Sequence, residues 1–218
     1  MSISTVILGE SGTGKTASIR NLNPKDVLLI QAVKKPLPFK ADGWKYWRKG
    51  MTEDEWNIYV SDNHENILKV MNKTNKKIII IDDFQYVMAN EFMRRSDERG
   101  FDKFTDIGKH AWEIFMEANA LPDDVRVYIF CHTQTSDQGE IRLKTIGKML
   151  DEKITPEGLF TIVLRTFVSE GSYFFTTKNN GRDTVKAPIG LFGSDRIEND
   201  LNCIDQEIKN YYEIGEQQ

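Results

Sequence analysis

The chain has little cysteine and no long hydrophobic segment. Its two cysteines, Cys131 and Cys203, stand in no metal-binding spacing, which favours a reduced, cytoplasmic protein in which both thiols are packing residues. The longest apolar run, Ile78 to Ile81, is far too short to cross a bilayer, so we expect no membrane partner. A core strand that begins almost at Met1 argues against a signal peptide as well.

A surplus of basic charge is also missing. The 29 Lys and Arg residues are outnumbered by 33 Asp and Glu residues, and the formal net charge is -4 at pH 7. This balance argues against a surface covered in basic charge, although it leaves room for a local basic patch that binds nucleic acid. A length of 218 residues is enough to bury one full core. We therefore expect a single domain over residues 1–218, with a helical tail from about residue 197.

What the chain does contain is a glycine-rich segment between a strand and a helix. It follows the apolar run Thr5 to Leu8, it precedes a helical pattern over residues 17–22, and it reads Gly9-Glu10-Ser11-Gly12-Thr13-Gly14-Lys15-Thr16. This is the G-x-x-x-x-G-K-[ST] pattern of a phosphate-binding loop in its strand–loop–helix context. The sequence therefore predicts that the Gly9–Thr16 segment binds a nucleoside triphosphate.

Each residue type in this loop has a chemical task. The glycines allow backbone conformations in which successive N–H groups point into one anion-sized hollow. A helix that begins near Lys15 would add its positive N-terminal dipole. Lys15 should reach the β- and γ-phosphates, and the Thr16 hydroxyl should bind Mg²⁺.

A second diagnostic element is the strand that ends in Asp82 and Asp83. Four isoleucines in a row, Ile78 to Ile81, predict a central strand of a parallel sheet covered on both faces. Ligands of open α/β sheets bind at the carboxyl ends of the strands, where these two carboxylates lie. We expect Asp82 to hold Mg²⁺ and Asp83 to polarise the attacking water. The alternative, an acidic turn that caps the next helix, stays open.

A further strand is predicted over residues 125–133, and it ends in polar residues. His132 is a candidate sensor of the nucleotide at this position, whereas a lone histidine is more commonly structural. The segment Trp44 to Lys49 interleaves aromatic residues with cations. It is interpreted as a short edge strand or hairpin, with a platform for nucleobase stacking as the alternative.

The remaining elements complete an alternating α/β pattern. A capping box at Thr52 predicts a helix to about Met71, and helices are also predicted over 84–89, 104–118 and 197–212. Two strands over 160–168 and 172–177 predict an antiparallel hairpin that extends the sheet. The order of elements predicts a three-layer α/β nucleotide-binding fold with a mainly parallel sheet.

Two polar segments, residues 90–103 and 136–154, contain clusters of cations and are predicted to be loops. The cations are Arg94, Arg95, Arg99 and Lys103 in the first segment and Arg142, Lys144 and Lys148 in the second. Three roles stay open for the second cluster: a solvated face, contacts to nucleic-acid phosphates, or a cationic finger that completes the ATP site of a neighbouring subunit.

The order of these motifs resembles the RecA-like ATPase core. In that family the two segments after these strands bind single-stranded DNA, and ATP lies between the subunits of a ring or filament. The resemblance implies ATP and Mg²⁺ as ligands and single-stranded DNA at the seven cations. It also implies a homo-oligomer with a shared ATP site, in which Lys144 or Lys148 of one subunit acts on the γ-phosphate held by another.

A narrower resemblance is to phage-encoded P-loop proteins related to the Sak-four type of single-strand annealing proteins. It rests on the Gly9–Thr16 loop and on the blocks Ile81-Asp82-Asp83-Phe84-Gln85-Tyr86, Gly100-Phe101-Asp102-Lys103-Phe104, Lys144-Thr145-Ile146-Gly147-Lys148-Met149-Leu150 and Asn199-Asp200-Leu201. It implies a role in phage recombination or replication in the host cytoplasm, with a phage single-strand-binding or replication protein as a partner.

The chain also departs from the RecA pattern. Its second strand ends in Gln31 without a following glutamate, so the water-activating role would fall to Asp83 or Glu10. Our first hypothesis is an ATP-hydrolysing protein that binds single-stranded DNA. The alternatives are a nucleotide-regulated assembly module or helicase loader, and a small-molecule or nucleotide kinase.

Overall fold

Short runs of β-branched and aliphatic residues form the strands of one large sheet. The computed structural model describes residues 1–147 and 149–215, and within them the strands are β1 (Ile3–Leu8), β2 (Val27–Gln31), β3 (Ile58–Val60), β4 (Ile78–Asp82), β5 (Arg126–Cys131), β6 (Thr133–Thr135), β7 (Ile141–Leu143), β8 (Ile162–Ser169), β9 (Ser172–Thr176) and β10 (Arg196–Glu198). Eight of them form a sheet in the order β10-β9-β8-β1-β5-β4-β2-β3, and β6 and β7 form a separate pair.

The sheet is mostly parallel. All neighbours from β8 through β1, β5, β4 and β2 to β3 pair in parallel, whereas β9 pairs antiparallel with both β8 and β10. The predicted mainly parallel sheet with an antiparallel extension is therefore confirmed. The fold is α/β, and its layering is compatible with a three-layer arrangement.

Helices cover both faces of the sheet. They are α1 (His64–Lys73), α2 (Gln85–Arg94), α3 (Asp102–Ala120) and α4 (Leu201–Tyr211). The first three pack on the face to which β1 directs Val6 and Leu8, and α4 packs on the opposite face with Ile7. Each central strand is thus buried on both sides, which explains its continuous run of apolar residues.

The strand order brings the predicted site residues to one edge. The strands β1 and β4 lie on either side of β5, and β2 lies next to β4. Leu8 pairs with Cys131, and Gln31 pairs with Asp82, so the carboxyl ends of these four strands meet at the same edge. This edge is where open α/β sheets bind their ligands.

Two predicted helices differ from the structure. After a capping box at Thr52 the chain makes a short 3₁₀ turn, Glu53–Glu55, and then enters β3 before α1 begins at His64. The strand pairs with β2, and just before it the Asn57 side chain accepts from the Lys45 N–H and donates to the carbonyls of Pro24 and Gly43. Likewise, the predicted helix after the glycine-rich loop is a six-residue 3₁₀ helix, Thr16–Asn21, which ends where the backbone becomes extended at Leu22.

The two cation-bearing segments contain more regular structure than predicted. The first is the end of α2, a turn and the start of α3, so Arg94 and Lys103 are helical residues. The second contains β7 and a helical turn, Met149–Ile154. The C-terminal segment divides into β10 and α4, and Trp44–Lys49 forms a single bridge from Tyr46 to Ile58. No helix in the described part of the chain is long and apolar enough to cross a membrane.

Candidate functional site

The glycine-rich loop is in close contact with β8. A Cβ atom at Gly9 would lie 2.0 Å from Thr166 Oγ1 and 2.7 Å from Thr13 Oγ1, so this position has no room for a side chain. The two threonine hydroxyl oxygens lie 2.7 Å apart, and Thr166 Oγ1 lies 3.2 Å from the Leu8 carbonyl oxygen. Gly14 has a φ of 94°, a conformation that favours glycine. These contacts fix the path of the loop over the end of β1.

The Lys15 side chain bends back over this loop. Its Nζ donates to the carbonyl oxygens of Gly9 at 2.6 Å and Glu10 at 2.9 Å. Burial lowers the pKa of the Lys15 amine, although Asp83 and Asp82 are close enough to oppose the shift. Lys15 is therefore a buried ammonium group that faces two carboxylates and lines the cleft next to the loop.

Thr16 and Asp82 meet across the cleft as the sequence predicts. The Thr16 hydroxyl lies 3.0 Å from each carboxylate oxygen of Asp82. Burial raises the pKa of Asp82 to about 6, and the negative charge of Asp83 adds to the effect. A hydroxyl and a carboxylate at this spacing are the oxygen donors that Mg²⁺ prefers. Such a cation would stabilise the ionised form of this buried carboxylate.

Two basic side chains, Lys35 and His132, lie next to the Asp83 carboxylate. Its carboxylate contacts Lys35 Nζ, and its Oδ1 lies 3.4 Å from His132 Nε2. Burial alone would raise the pKa of Asp83, but the hydrogen bonds from His132 and Lys35 outweigh it and lower the pKa to about 2. The backbone of Asp83 has a φ of 59°, an unusual value for a residue other than glycine. His132, the predicted sensor, thus reaches the cleft through Asp83.

These groups surround one open cleft of about 560 Å³. Its wall includes the predicted residues Ser11, Gly12, Gly14, Lys15, Thr16, Asp82, Asp83 and His132. Glu10 and Thr13 belong to the same loop: the Glu10 side chain is exposed, and the Thr13 hydroxyl donates to the Glu10 carbonyl at 2.8 Å. The sequence-predicted ligands and carboxylates are therefore brought together in one place.

Gln31 is a cleft residue to which the sequence assigned no role. Its Nε2 donates to the Lys35 carbonyl at 3.1 Å, which fixes the orientation of the side-chain amide. The other end, Oε1, is buried and has no hydrogen-bond partner among the described residues. A buried acceptor without a partner costs about 1–3 kcal/mol.

Lys35 is the other residue that sequence reasoning missed. It lies in the loop after β2, where a lysine is an ordinary surface residue, and only the fold brings it to Asp83, 48 positions further along the chain. Burial acts to lower the pKa of the Lys35 amine, but the hydrogen bond and the charge of Asp83 raise it above its ordinary value. The only sequence signal was its position after a strand that ends at the ligand-binding edge.

Most cations of the first predicted DNA-binding segment have partners within the chain. Arg94 forms an ion pair with Asp62, and Arg95 with Glu91, Glu98 and Asp106. The Nζ atom of Lys103 is directed inwards and donates to three backbone carbonyls, the closest being that of Glu98 at 2.8 Å. Arg99 is exposed in the turn between α2 and α3.

The second predicted segment lies next to the first. The added Cβ of Gly147 would be 3.6 Å from the Phe104 side chain at the start of α3. Arg142 pairs with Glu140 within the β6–β7 hairpin, and exposed Lys144 lines a smaller pocket of about 140 Å³ together with His132. Lys148 lies outside the described residues.

Comparison with known proteins assigns the chain to no family. No protein-family model matches the chain, and a search of the curated proteins finds no relative.

Proposed function

We propose that the chain binds Mg·ATP in the cleft between the Gly9–Thr16 loop and the Asp82 strand. The observation that carries this proposal is the contact of the Thr16 hydroxyl with both Asp82 oxygens, directly beside the buried ammonium of Lys15. The loop supplies one metal donor, Thr16, and one phosphate-binding cation, Lys15, and β4 supplies the second metal donor, Asp82. On binding, Lys15 exchanges the carbonyls of Gly9 and Glu10 for the β- and γ-phosphate oxygens.

Thr16 and Asp82 are the residues that would hold Mg²⁺. Their oxygens fit the ion's preference for hard donors, and the high pKa of Asp82 marks a carboxylate whose charge the folded chain leaves poorly compensated. The ion, when bound, neutralises charge that develops on the phosphates. The role of the protein is to position the triphosphate and to supply Lys15 as a second positive charge.

We further propose that the chain hydrolyses ATP and that Gln31 positions the attacking water. Gln31 lines the cleft, and the Lys35 carbonyl holds its side-chain amide in place. Asp83 is a weak proton acceptor because its pKa is about 2. Its role is then to hold Lys35 and His132 beside the γ-phosphate. Lys35 would thus supply from the same chain the cation that, by the RecA-like resemblance, a neighbouring subunit would supply.

This role of Gln31 has a measurable consequence. Replacing it with alanine should lower the rate of Mg·ATP hydrolysis by about 10- to 100-fold while the ATP dissociation constant changes little, because a misplaced nucleophile affects the chemical step more than binding. The rate is measured as phosphate release at saturating ATP, and binding by calorimetry.

The matched control is Gln206→Ala on the exposed surface of α4, which should hydrolyse ATP at the wild-type rate. Hydrolysis by Gln31→Ala at the wild-type rate would remove Gln31 from the mechanism. If the wild-type chain does not hydrolyse ATP with Mg²⁺ present, either with or without DNA, only the ATP-binding part of the proposal remains. That result would favour the assembly-module or loader interpretation. Transfer of the phosphate to an added acceptor would favour a kinase.

A second activity, binding of single-stranded DNA, is supported by exposed aromatic and basic side chains at the start of α3. Phe101 is 84% exposed, lies 6.5 Å from the Phe104 ring centre, and stands close in the chain to exposed Arg99. Lys144 comes from the adjacent segment. Exposed rings beside cations bind bases by stacking and phosphates by charge. Together with the RecA-like resemblance, this supports a role in recombination or replication of a phage, as a homo-oligomer with a partner such as a single-strand-binding protein.

Binding of DNA should therefore depend on both kinds of contact. Phe101→Ala should weaken the affinity for a fluorescent oligothymidine by about 10-fold at every salt concentration, since one stacked base contributes about 1–3 kcal/mol. The double variant Arg99→Ala, Lys144→Ala should also weaken binding and should reduce the salt dependence, because fewer counterions are released. The measurement is fluorescence anisotropy between 50 and about 300 mM salt.

Arg94→Ala is the informative comparison, because Arg94 pairs with Asp62 and should contribute little to DNA binding. If all four proteins bind the oligonucleotide equally, or if none binds it at low salt, this second activity is excluded.

A further inference from the structure

Three helices bring one side chain each to a common point. His64 stands at the start of α1, Glu91 on α2 and His110 on α3. One ligand atom of each residue lies within 4.8 Å of the other two. None of the three belongs to the cleft of the proposed nucleotide site. The residues are far apart in the sequence, and only the packing of the helices brings them together.

The two imidazole rings are parallel and in contact. Their centres are 3.6 Å apart with an angle of 8° between the planes. The Nδ1 atom of His110 lies 2.9 and 3.0 Å from the two oxygens of Glu91. His64 Nε2 lies 3.8 Å from an oxygen of Glu113, which is thus at the margin of the same cluster. Two nitrogen and two oxygen donors therefore converge on a small volume.

The charges around the cluster suit a divalent cation. Glu91 and Glu113 offer two negative charges. Arg95 donates to Glu91 Oε1 at 3.1 Å and so orients the carboxylate, as groups outside the coordination sphere do in metal sites. Lys109 faces Glu113 at 3.7 Å and remains exposed to solvent.

We propose that His64, Glu91 and His110 form a binding site for a divalent transition-metal ion of the Zn²⁺ class, with Glu113 or water as the fourth ligand. Imidazole and carboxylate ligands select Zn²⁺, Co²⁺ or Ni²⁺ over Mg²⁺ and Ca²⁺, which prefer oxygen donors alone. The nitrogen lone pairs lie in the ring planes, so the two rings must rotate out of their stack before both reach one ion at Zn–N distances of about 2.0–2.1 Å.

Such an ion would tie α1, α2 and α3 together on one face of the sheet. The helix α2 begins at Gln85, two residues after Asp83, so the metal would also fix the element that follows the carboxylates of the cleft. This proposal does not depend on the proposed nucleotide binding and is tested separately.

The test uses the full chain without an affinity tag, stripped of metal with a chelator and then dialysed. Titration with Co²⁺ should give one equivalent of tight binding with the visible absorbance of a four- or five-coordinate ion. Competition with a chromophoric chelator then gives the Zn²⁺ affinity. Zn²⁺ should also raise the melting temperature, because it binds only the folded chain. His64→Gln and His110→Gln should each weaken Zn²⁺ binding by about 100-fold.

The third histidine supplies a matched control, because His132→Gln removes an imidazole outside the cluster and should leave the Zn²⁺ affinity unchanged. Cys203→Ser serves the same purpose for the exposed thiol. If His110→Gln folds poorly without metal, Glu91→Gln and His64→Gln carry the test. Absence of Zn²⁺ binding at micromolar concentration would overturn the proposal. Binding that survives both histidine variants, or that is lost in His132→Gln or Cys203→Ser, would overturn it too.

Discussion

Lys15→Ala should weaken the binding of Mg·ATP by about 100-fold and abolish ATP hydrolysis at physiological concentrations. A charged hydrogen bond contributes about 1.5–3 kcal/mol, and the upper part of this range corresponds to two orders of magnitude in the dissociation constant. Lys15 is the only lysine of the glycine-rich loop, and its ammonium is already buried and turned towards the loop carbonyls. Calorimetry with ATP measures the loss directly.

Lys25→Ala provides the control, since Lys25 is an exposed lysine outside the cleft and has the same side chain. Its nucleotide affinity should equal that of the wild-type chain. The melting temperature of Lys15→Ala should be recorded as well, because the substitution leaves two loop carbonyls without their donor. If the variant melts like the wild type and still binds ATP normally, Lys15 does not bind the phosphates and the proposed mode of phosphate binding is wrong.

Asp82→Asn should make the metal-free protein more stable and at the same time remove its response to Mg²⁺. The pKa of Asp82 rises from an ordinary value of 3.8 to about 6 in the folded chain, chiefly because of burial. Between these pH values the folded state holds a proton that the unfolded state has lost. The free energy of unfolding therefore falls as the pH rises through this window, and above it the charged carboxylate destabilises the fold by about 1–3 kcal/mol.

An asparagine at this position carries no charge and keeps an oxygen that can accept from Thr16. At pH 8 the variant should melt about 3–10 °C higher than the wild type, and at pH 4 the difference should disappear. Millimolar Mg²⁺ should raise the melting temperature of the wild type but not that of Asp82→Asn. Asp97→Asn, at an exposed carboxylate, should behave like the wild type in every condition. An Asp82→Asn variant that is less stable than the wild type at pH 8 would show that the buried charge is compensated.

The parts of the site that the sequence predicted share a local signature. A strand, a glycine-rich loop and a Lys-Thr pair are contiguous, and four isoleucines followed by two aspartates identify a buried strand and its carboxyl end without any tertiary information. The structure confirms the mostly parallel sheet, and it brings Thr16 and Asp82 into contact. Patterns of this kind are strong because backbone geometry and chemistry are encoded in adjacent residues.

The parts that could not be predicted depend on contacts between distant segments. Nothing near Lys35 indicates that it will pair with Asp83. Of the three carboxylates around Arg95, only Asp106 is more than four positions away in the sequence. A cation looks equally available in the sequence whether it is exposed, as Arg99 is, or directed inwards, as Lys103 is. The cluster at His64 also needs three packed helices before it exists.

Local propensity also misled where a competing contact was stronger. The capping box at Thr52 exists, yet the chain leaves the helical path after three residues because Asn57 is tied to backbone groups of the preceding loop and β3 adds to the edge of the sheet. The aromatic and β-branched residues of Ile58–Val60 fit a strand better than a helix. A start signal alone does not determine how long a helix continues.

The most direct test of the central claim is a calorimetric titration of the wild-type chain with ATP and with AMP, each in the presence of Mg²⁺ and again with a chelator. We expect one ATP per chain, binding that weakens strongly when Mg²⁺ is removed, and no measurable binding of AMP, because in our proposal the loop and Asp82 recognise the β- and γ-phosphates and their metal ion. Equal affinity for ATP and AMP, or ATP binding that ignores Mg²⁺, would contradict it.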